Sequence, residues 1–211
     1  MYELYYYPGM ANLAPHMMLE DIGAEHRLIR VDRDKGEHKS PEYLKLNPKG
    51  LIPVLVDGDL VLYETAAICL HLADRHPQAN LAPALGTHGR AHMYKWLMHM
   101  TNTVQSDVLV YNYPDRYTTD PGGVEAVKAA SAARLENAYQ QIDAHLAEGP
   151  YLLGDTFSLA DYYLLLMARW GRNMANPPRT LPNLGRSLDR IAERPAVARA
   201  FAAEGMEKPY Y

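Results

Sequence analysis

Cysteine is nearly absent from this chain: among 211 residues there is one, Cys69. A single cysteine excludes an internal disulfide and fits a reducing, cytoplasmic setting. Phenylalanine is scarce as well, with 2 residues against 16 tyrosines. That balance suits surfaces that are apolar on one side and hydrogen-bonded on the other, such as clefts and interfaces. No stretch approaches the roughly 20 apolar residues needed to cross a bilayer, so a membrane is not an expected partner. The opening Met1-Tyr2-Glu3-Leu4-Tyr5 has neither the basic start nor the apolar run of a secretion signal. Runs of Lys or Arg are missing too, and with 21 basic against 25 acidic residues the formal net charge is -4. Nothing in that balance would attract a nucleic acid. What is present is ordinary for a soluble globular protein, 48% hydrophobic and 22% charged, and long enough for a real core.

Hydrophobic periodicity divides the chain into two regimes. Leu4-Tyr5-Tyr6-Tyr7 reads as a strand closed by Pro8-Gly9, residues 14–22 as a helix stopped by Gly23, and residues 26–31 as a second strand. Ser40 caps a short helix with Pro41 at its first position. Residues 52–56 and 60–62 form a hairpin through Asp57-Gly58, and residues 64–75 form a helix ending before Pro77. Beyond residue 78 strands disappear, and helices are expected over 88–112, 123–148, 159–173, 183–193 and 195–204. The expected fold is therefore an α/β thioredoxin-like N-terminal domain over residues 1–78, a linker over 79–87, and an all-α C-terminal domain over 88–211. One helix start is especially well marked: Ser158-Leu159-Ala160-Asp161 is a capping-box variant, flanked by Phe157 and Tyr162 at the staple positions.

Two motifs carry chemistry. In Asn47-Pro48-Lys49-Gly50-Leu51-Ile52-Pro53-Val54 a turn runs into an apolar strand with a proline among its first residues. Proline donates no ladder hydrogen bond, and X-Pro is the bond at which a cis peptide costs little. A cis Ile52-Pro53 bond would leave the main chain of Ile52 free for an extended ligand. Close behind, Leu62-Tyr63-Glu64-Thr65 offers a carboxylate and a hydroxyl at a helix start. Together they suit a small peptide carrying both an amine and a carboxylate.

These motifs, with Leu13-Ala14-Pro15-His16, Leu72-Ala73-Asp74, Ala160-Asp161, Arg169-Trp170 and Ala192-Glu193-Arg194-Pro195, resemble the glutathione S-transferases over essentially the whole chain, and within them the bacterial beta class. The resemblance implies glutathione as co-substrate and a homodimer. It implies that Glu64 and Thr65 hold the γ-glutamyl end, that Ile52 and Pro53 pair with the cysteinyl unit, and that Lys35 faces the glycyl carboxylate. Lys35 is read equally well as a solvated lysine in the charged loop Asp32-Arg33-Asp34-Lys35.

The chain departs from the beta class where that class has its signature groups. The cysteine position reads Ala11, and the His-Lys position reads Gln105-Ser106. Cys69 lies in the apolar stripe Ala66-Ile68-Cys69-Leu72, as an inert buried thiol would. Mixed-disulfide chemistry on a protein thiol is therefore not expected. The remaining strategy is activation of the glutathione thiol by a hydrogen-bond donor. Asn12, beside the lost cysteine and at the start of the first helix, and Tyr6, at the end of the first strand, are the two candidates, with Asn12 placed ahead. Gln105 stands in for the missing histidine and faces either the sulfur or the second substrate.

The second substrate is expected between the domains, a small and largely apolar electrophile against Met10, Tyr111, Tyr113, Tyr117 and Trp170, although each of these fits core or dimer packing as well. A peroxidase or disulfide reductase using two glutathiones, and a non-catalytic glutathione-binding module, are the alternatives. His88 and His92 have the i, i+4 spacing of metal ligands, with His99 near them, but no acidic or cysteine partner accompanies them, so no metal is expected.

Overall fold

The computed structural model describes residues 1–211. It opens with β1 (Tyr2–Tyr6), α1 (Leu13–Ile22) and β2 (His26–Arg30), followed by α2 (Pro41–Leu46), β3 (Val54–Asp57), β4 (Leu60–Tyr63) and α3 (Thr65–Arg75). The sheet order is β2-β1-β3-β4. β1 and β2 are parallel, with Leu4 opposite Leu28. Parallel neighbours need a crossover, and α1 supplies it. β3 runs antiparallel to both β1 and β4. The hairpin between β3 and β4 closes where Asp57 pairs with Leu60, and Gly58 between them has φ +59°, a conformation that favours glycine. β3 starts at Val54 rather than at Ile52 as the hydrophobic pattern suggested. Pro53 has no N–H to give to a ladder, so pairing begins one residue later. Ser40 caps α2 as expected, its Oγ accepting the Tyr43 N–H at 3.2 Å.

The later part is helical: α4 (His88–His99), α5 (Gln105–Asn112), α6 (Val124–His145), α7 (Leu159–Trp170), α8 (Pro182–Ala192) and α9 (Pro195–Ala203). The run expected as one helix over 88–112 is interrupted by a π-helical segment, Met100–Val104, which joins α4 to α5. No helix is long and apolar enough to cross a membrane.

The chain forms two compact units whose limits differ from the division expected from chain order. The first is Met1–Ala82 together with Glu193–Tyr210, and the second is Pro83–Ala192 with Tyr211. α9 thus belongs with the sheet, not with the helical unit. The reason is local chemistry on α1: Arg194 bonds Asp21 at 2.6 Å, Arg199 bonds Glu20 at 2.7 Å, and the Glu204 carboxylate meets His16 at 2.7 Å.

In the helical unit α7 is the central element. Residues Leu159 to Ala168 are all buried. Its start is held as the capping box predicts. Asp161 Oδ2 accepts the Ser158 N–H at 2.8 Å, and the Ser158 hydroxyl accepts the Ala160 N–H at 3.3 Å. The Phe157 and Tyr162 rings meet edge to face at 4.8 Å, completing the staple. Asp161 does one thing the capping motif does not announce: its Oδ1 accepts the Leu152 N–H at 2.9 Å, tying the preceding loop to the helix start.

Asp161→Ala strands two buried N–H groups, those of Leu152 and Ser158, at about 1–3 kcal/mol each. Ser158→Ala removes the cap and the hydroxyl's own bond to Asp161 Oδ2 while leaving both N–H groups paired, at about 1 kcal/mol. Urea denaturation should therefore rank Asp161→Ala well below Ser158→Ala in stability; equal losses would show that the Leu152 tie contributes nothing.

Candidate functional site

The loop leading into β3 is pinned from several sides. Asn47 is buried, and its Nδ2 donates to the Leu51 carbonyl at 2.7 Å, which also accepts the Tyr43 hydroxyl at 2.8 Å. Gly50 has φ +59°, and a Cβ there would lie 2.7 Å from the His38 carbonyl oxygen. The Lys39 ammonium donates to the carbonyls of Lys49 and Gly50 at 3.2 Å each. These ties set the main chain of Ile52, which precedes the first ladder residue of β3. The Ile52-Pro53 bond is cis, as the sequence suggests. Ile52 packs beside the small core of Val31, Tyr43 and Val54.

Glu64 is the N-cap of α3 and has φ +74°. A non-glycine residue held in that region costs of order 1–3 kcal/mol and persists where the surroundings enforce it, often at functional sites. Its side chain does not cap the helix. It pairs instead with Lys49 at 2.6 Å, both side chains being more than half exposed, and this hydrogen bond raises the Lys49 ammonium above its ordinary pKa. The Glu64 carboxylate is thus accessible, held by one displaceable surface cation. Thr65, the first residue of α3, is buried. Lys35 is exposed and paired with Asp32 at 3.1 Å, which also lowers the Asp32 pKa. The sequence did not single out Lys39 and Lys49, the cations beside Ile52 and Glu64. Lys49 lies inside the turn motif itself, whereas Lys39 lies outside it and only the fold brings its ammonium to the Lys49 and Gly50 carbonyls.

Tyr5, Tyr6 and Tyr7, at the end of β1, have different surroundings. Tyr5 meets the Tyr43 ring edge on at 6.1 Å. The Tyr7 hydroxyl donates to Asp34 at 2.5 Å, and that bond raises its pKa. Tyr6 is half-buried, and its hydroxyl has no partner within the chain.

Asn12 is fully buried. Its Oδ1 accepts the Tyr7 N–H at 3.2 Å, and its Nδ2 donates to Glu204 at 2.8 Å. Glu204, just beyond α9, also accepts the Gly9 N–H at 2.9 Å and the His16 Nδ1–H at 2.7 Å. One carboxylate therefore organises the whole loop between β1 and α1. Sequence reasoning missed Glu204 and His16, because nothing local links residue 204 to residues 9–16. Ala11 is buried in the same loop. Cys69 is fully buried, and desolvation pushes its thiol pKa far up, consistent with an inert side chain.

In the helical unit the Gln105 Oε1 accepts the hydroxyl of buried Tyr163 at 2.5 Å. Tyr111 donates to the Asn173 carbonyl at 3.3 Å, and Tyr113 lies under Arg116 at 4.2 Å. Tyr117 is exposed, and Trp170 is half-buried at the end of α7. Met10, in the first unit, accepts a contact from Arg33 Nη1 at 2.9 Å on its sulfur.

Comparison with known proteins matches residues 1–74 to the family model "Glutathione S-transferase, N-terminal domain" and residues 105–195 to "Glutathione S-transferase, C-terminal domain". A curated relative, glutathione S-transferase GstA of Escherichia coli O157:H7, is 30% identical over 97% of this chain and 100% of its own. Glutathione S-transferase 3 of Zea mays is 33% identical over 91% of this chain and 89% of its own. Among solved structures, a glutathione S-transferase from Xylella fastidiosa superposes with TM-score 0.90 at 30% identity, covering 98% of this chain and 100% of that one. A sphingomonad glutathione S-transferase complexed with glutathione superposes with TM-score 0.85 at 31% identity, covering 97% and 100%.

Glu204→Ala leaves the His16 imidazole, the Asn12 amide and the Gly9 N–H without their shared acceptor, a loss of about 3–5 kcal/mol. A chemical melt of the variant checks this; a loss of less than about 1 kcal/mol, the size of one ordinary hydrogen bond, would mean that the loop is held by other contacts. Ellman's reagent should leave Cys69 unmodified in the native protein and titrate one thiol in denaturant. Fast labelling of the native protein would contradict its burial.

Proposed function

We propose, for a chain that belongs to the glutathione S-transferase family, a mechanism in which the protein supplies no thiol of its own. The enzyme is a glutathione-dependent transferase. Our reading is that it binds glutathione along Ile52 and across the start of α3 and ionises the bound thiol with the Tyr6 hydroxyl. The observation that carries this is the contrast between the two candidate donors: the Asn12 amide is fully buried and spent on Tyr7 and Glu204, whereas the Tyr6 hydroxyl has no partner in the chain. Asn12 is then a positioning residue that shapes the loop at the start of α1, and the helix N-terminus adds its field to the sulfur.

The magnitudes are sufficient. A free thiol has a pKa of about 8.5 and is only a few per cent ionised at pH 7. A hydrogen bond to a charged group contributes about 1.5–3 kcal/mol, and one pKa unit corresponds to about 1.4 kcal/mol. One donor therefore lowers the thiol pKa by about one to two units. The thiol proton leaves to water; the thiolate then attacks the electrophilic carbon, forming the S–C bond while the leaving group departs with its electron pair.

Glutathione itself lies in extended form. Its cysteinyl unit pairs with the Ile52 main chain in the manner of strand addition, with Pro53 fixing the chain there. Its ammonium displaces Lys49 from Glu64, and its γ-glutamyl carboxylate takes the Thr65 hydroxyl and the first N–H groups of α3. Lys39, exposed like Lys35 but held beside Gly50, is a second candidate for the glycyl carboxylate. The second substrate is a small, largely apolar electrophile. Gln105 is tied to Tyr163 and positions rather than reacts. We place the enzyme in a reducing cytoplasm as a homodimer; apolar side chains are exposed on edge strand β4 (Leu60, Val61) and, separately, on α4 (Tyr94, Met98).

Tyr6→Phe should raise the pKa of bound glutathione, followed by thiolate ultraviolet absorbance, by about one to two units and lower kcat/KM at pH 7 about 10- to 100-fold. Asn12→Ala should lower the melting temperature and leave that pKa in place. If Asn12→Ala stays folded and loses the thiolate while Tyr6→Phe keeps it, the assignment is reversed. Glu64→Ala should raise the KM for glutathione about tenfold, the effect of losing about 1.4 kcal/mol of binding, with little change in bound pKa.

A further inference from the structure

Away from the motifs assigned to glutathione, α1 and the start of β2 carry a second cluster. One nitrogen each of His16 and His26 and one oxygen of Glu20 lie within 4.8 Å of one another. Glu20 Oε1 is 3.5 Å from His26 Nε2 and 4.0 Å from His16 Nε2. His16 is fully buried, and its Nε2 has no hydrogen-bond partner, although buried polar atoms are nearly always satisfied.

The other sides of these residues are committed in a way that fixes their character. His16 Nδ1 meets the Glu204 carboxylate at 2.7 Å, and that carboxylate accepts from Gly9 and Asn12 as well. His26 Nδ1 meets the Ala24 carbonyl, which can only accept, at 2.9 Å. Each Nδ1 therefore donates, which leaves the Nε2 of both rings as the atoms nearest the remaining Glu20 oxygen. Arg199 takes the other oxygen, Oε2, at 2.7 Å and the Glu20 carbonyl at 2.6 Å, leaving Oε1 available. Three acceptors turned toward one point repel one another unless a positive charge lies between them. A carboxylate or carbonyl on the far nitrogen of each histidine is also the usual outer support of a metal-bound imidazole.

We propose that His16, Glu20 and His26 form a binding site for one divalent first-row transition-metal ion, of which Zn²⁺ is the type. Two imidazoles and a carboxylate are a donor set suited to that class. Bonds of about 2.0–2.2 Å at tetrahedral angles place ligand atoms about 3.3–3.6 Å apart. The contacts of 3.5 and 4.0 Å are near that spacing, and small torsional changes at the partly exposed Glu20 and His26 supply the rest. Their exposure also gives the ion a way in and leaves the fourth position to water. The ion would clip α1 to β2 directly and to α9 through Glu204 and Arg199. The expectation of no metal from sequence rested on His88, His92 and His99. It overlooked that His16 and Glu20 share the i, i+4 spacing, and that the parallel crossover returns His26 beside them.

The test uses the full chain, stripped with chelator and titrated with Zn²⁺ by calorimetry and with Co²⁺ by visible absorbance. One equivalent of Zn²⁺ should bind, Co²⁺ should show the intense bands of a tetrahedral site, and the melting temperature should rise. His26→Ala and Glu20→Gln, both changes at partly exposed side chains, should each weaken binding at least as much as loss of an outer-shell partner does, about 10- to 100-fold. His88→Ala/His92→Ala should bind as the unaltered protein does. The proposal is overturned if the stripped protein takes up less than half an equivalent, if both His26→Ala and Glu20→Gln bind as before, or if the His88/His92 variant loses the ion.

Discussion

A buried carboxylate with three protein donors governs the first unit. Glu204 sits just past the last helix, yet its oxygens receive the Gly9 N–H, the Asn12 amide and the His16 imidazole. A negative charge out of water is tolerable only when such donors surround it, and the donors are in turn unsatisfied without it. This mutual dependence holds the turn between β1 and α1 in one conformation and draws α9 onto the sheet-bearing unit. The two arginine–carboxylate pairs of α9, Arg194 with Asp21 and Arg199 with Glu20, fix the same register.

The motifs assigned to glutathione draw their precision from that order and from a second set of ties around residues 47–51. There the turn is shaped by Asn47, Tyr43 and Lys39, and the main chain of Ile52 follows from it. Glu64 keeps an unusual backbone conformation at the start of α3 with its carboxylate outside the helix, where a surface lysine occupies it. Such an arrangement spends local stability, as the proposed grip on a cationic ligand group would require. Cys69 is buried and inert, and the Tyr6 hydroxyl at the end of β1 has no partner in the chain, which is why the sulfur proposed to be activated is the ligand's.

Much of the candidate site is legible in the chain itself. The turn and proline of residues 47–53, the acid and hydroxyl at 64 and 65, the Ser40 cap and the Ser158–Asp161 box all lie in contiguous segments, and local rules read contiguous segments well. Asn12 shows where such rules stop. Its place in the chain, beside a helix start and next to the missing cysteine, suggests an exposed donor. Its burial and its two hydrogen bonds follow from Glu204, 192 residues away.

The sequence by itself determined the order of strands and helices, the thioredoxin-like opening, the family, and the segments proposed for glutathione, because each rests on hydrophobic periodicity or a short motif. Only the tertiary structure decided that α9 joins the first unit, that Asn12 is a clamp held from both ends of its amide, that Lys49 covers Glu64, and that His16, Glu20 and His26 meet. Each of those depends on side chains distant in the chain being brought together by the burial of apolar faces and the pairing of charge, and no spacing along a sequence carries that information.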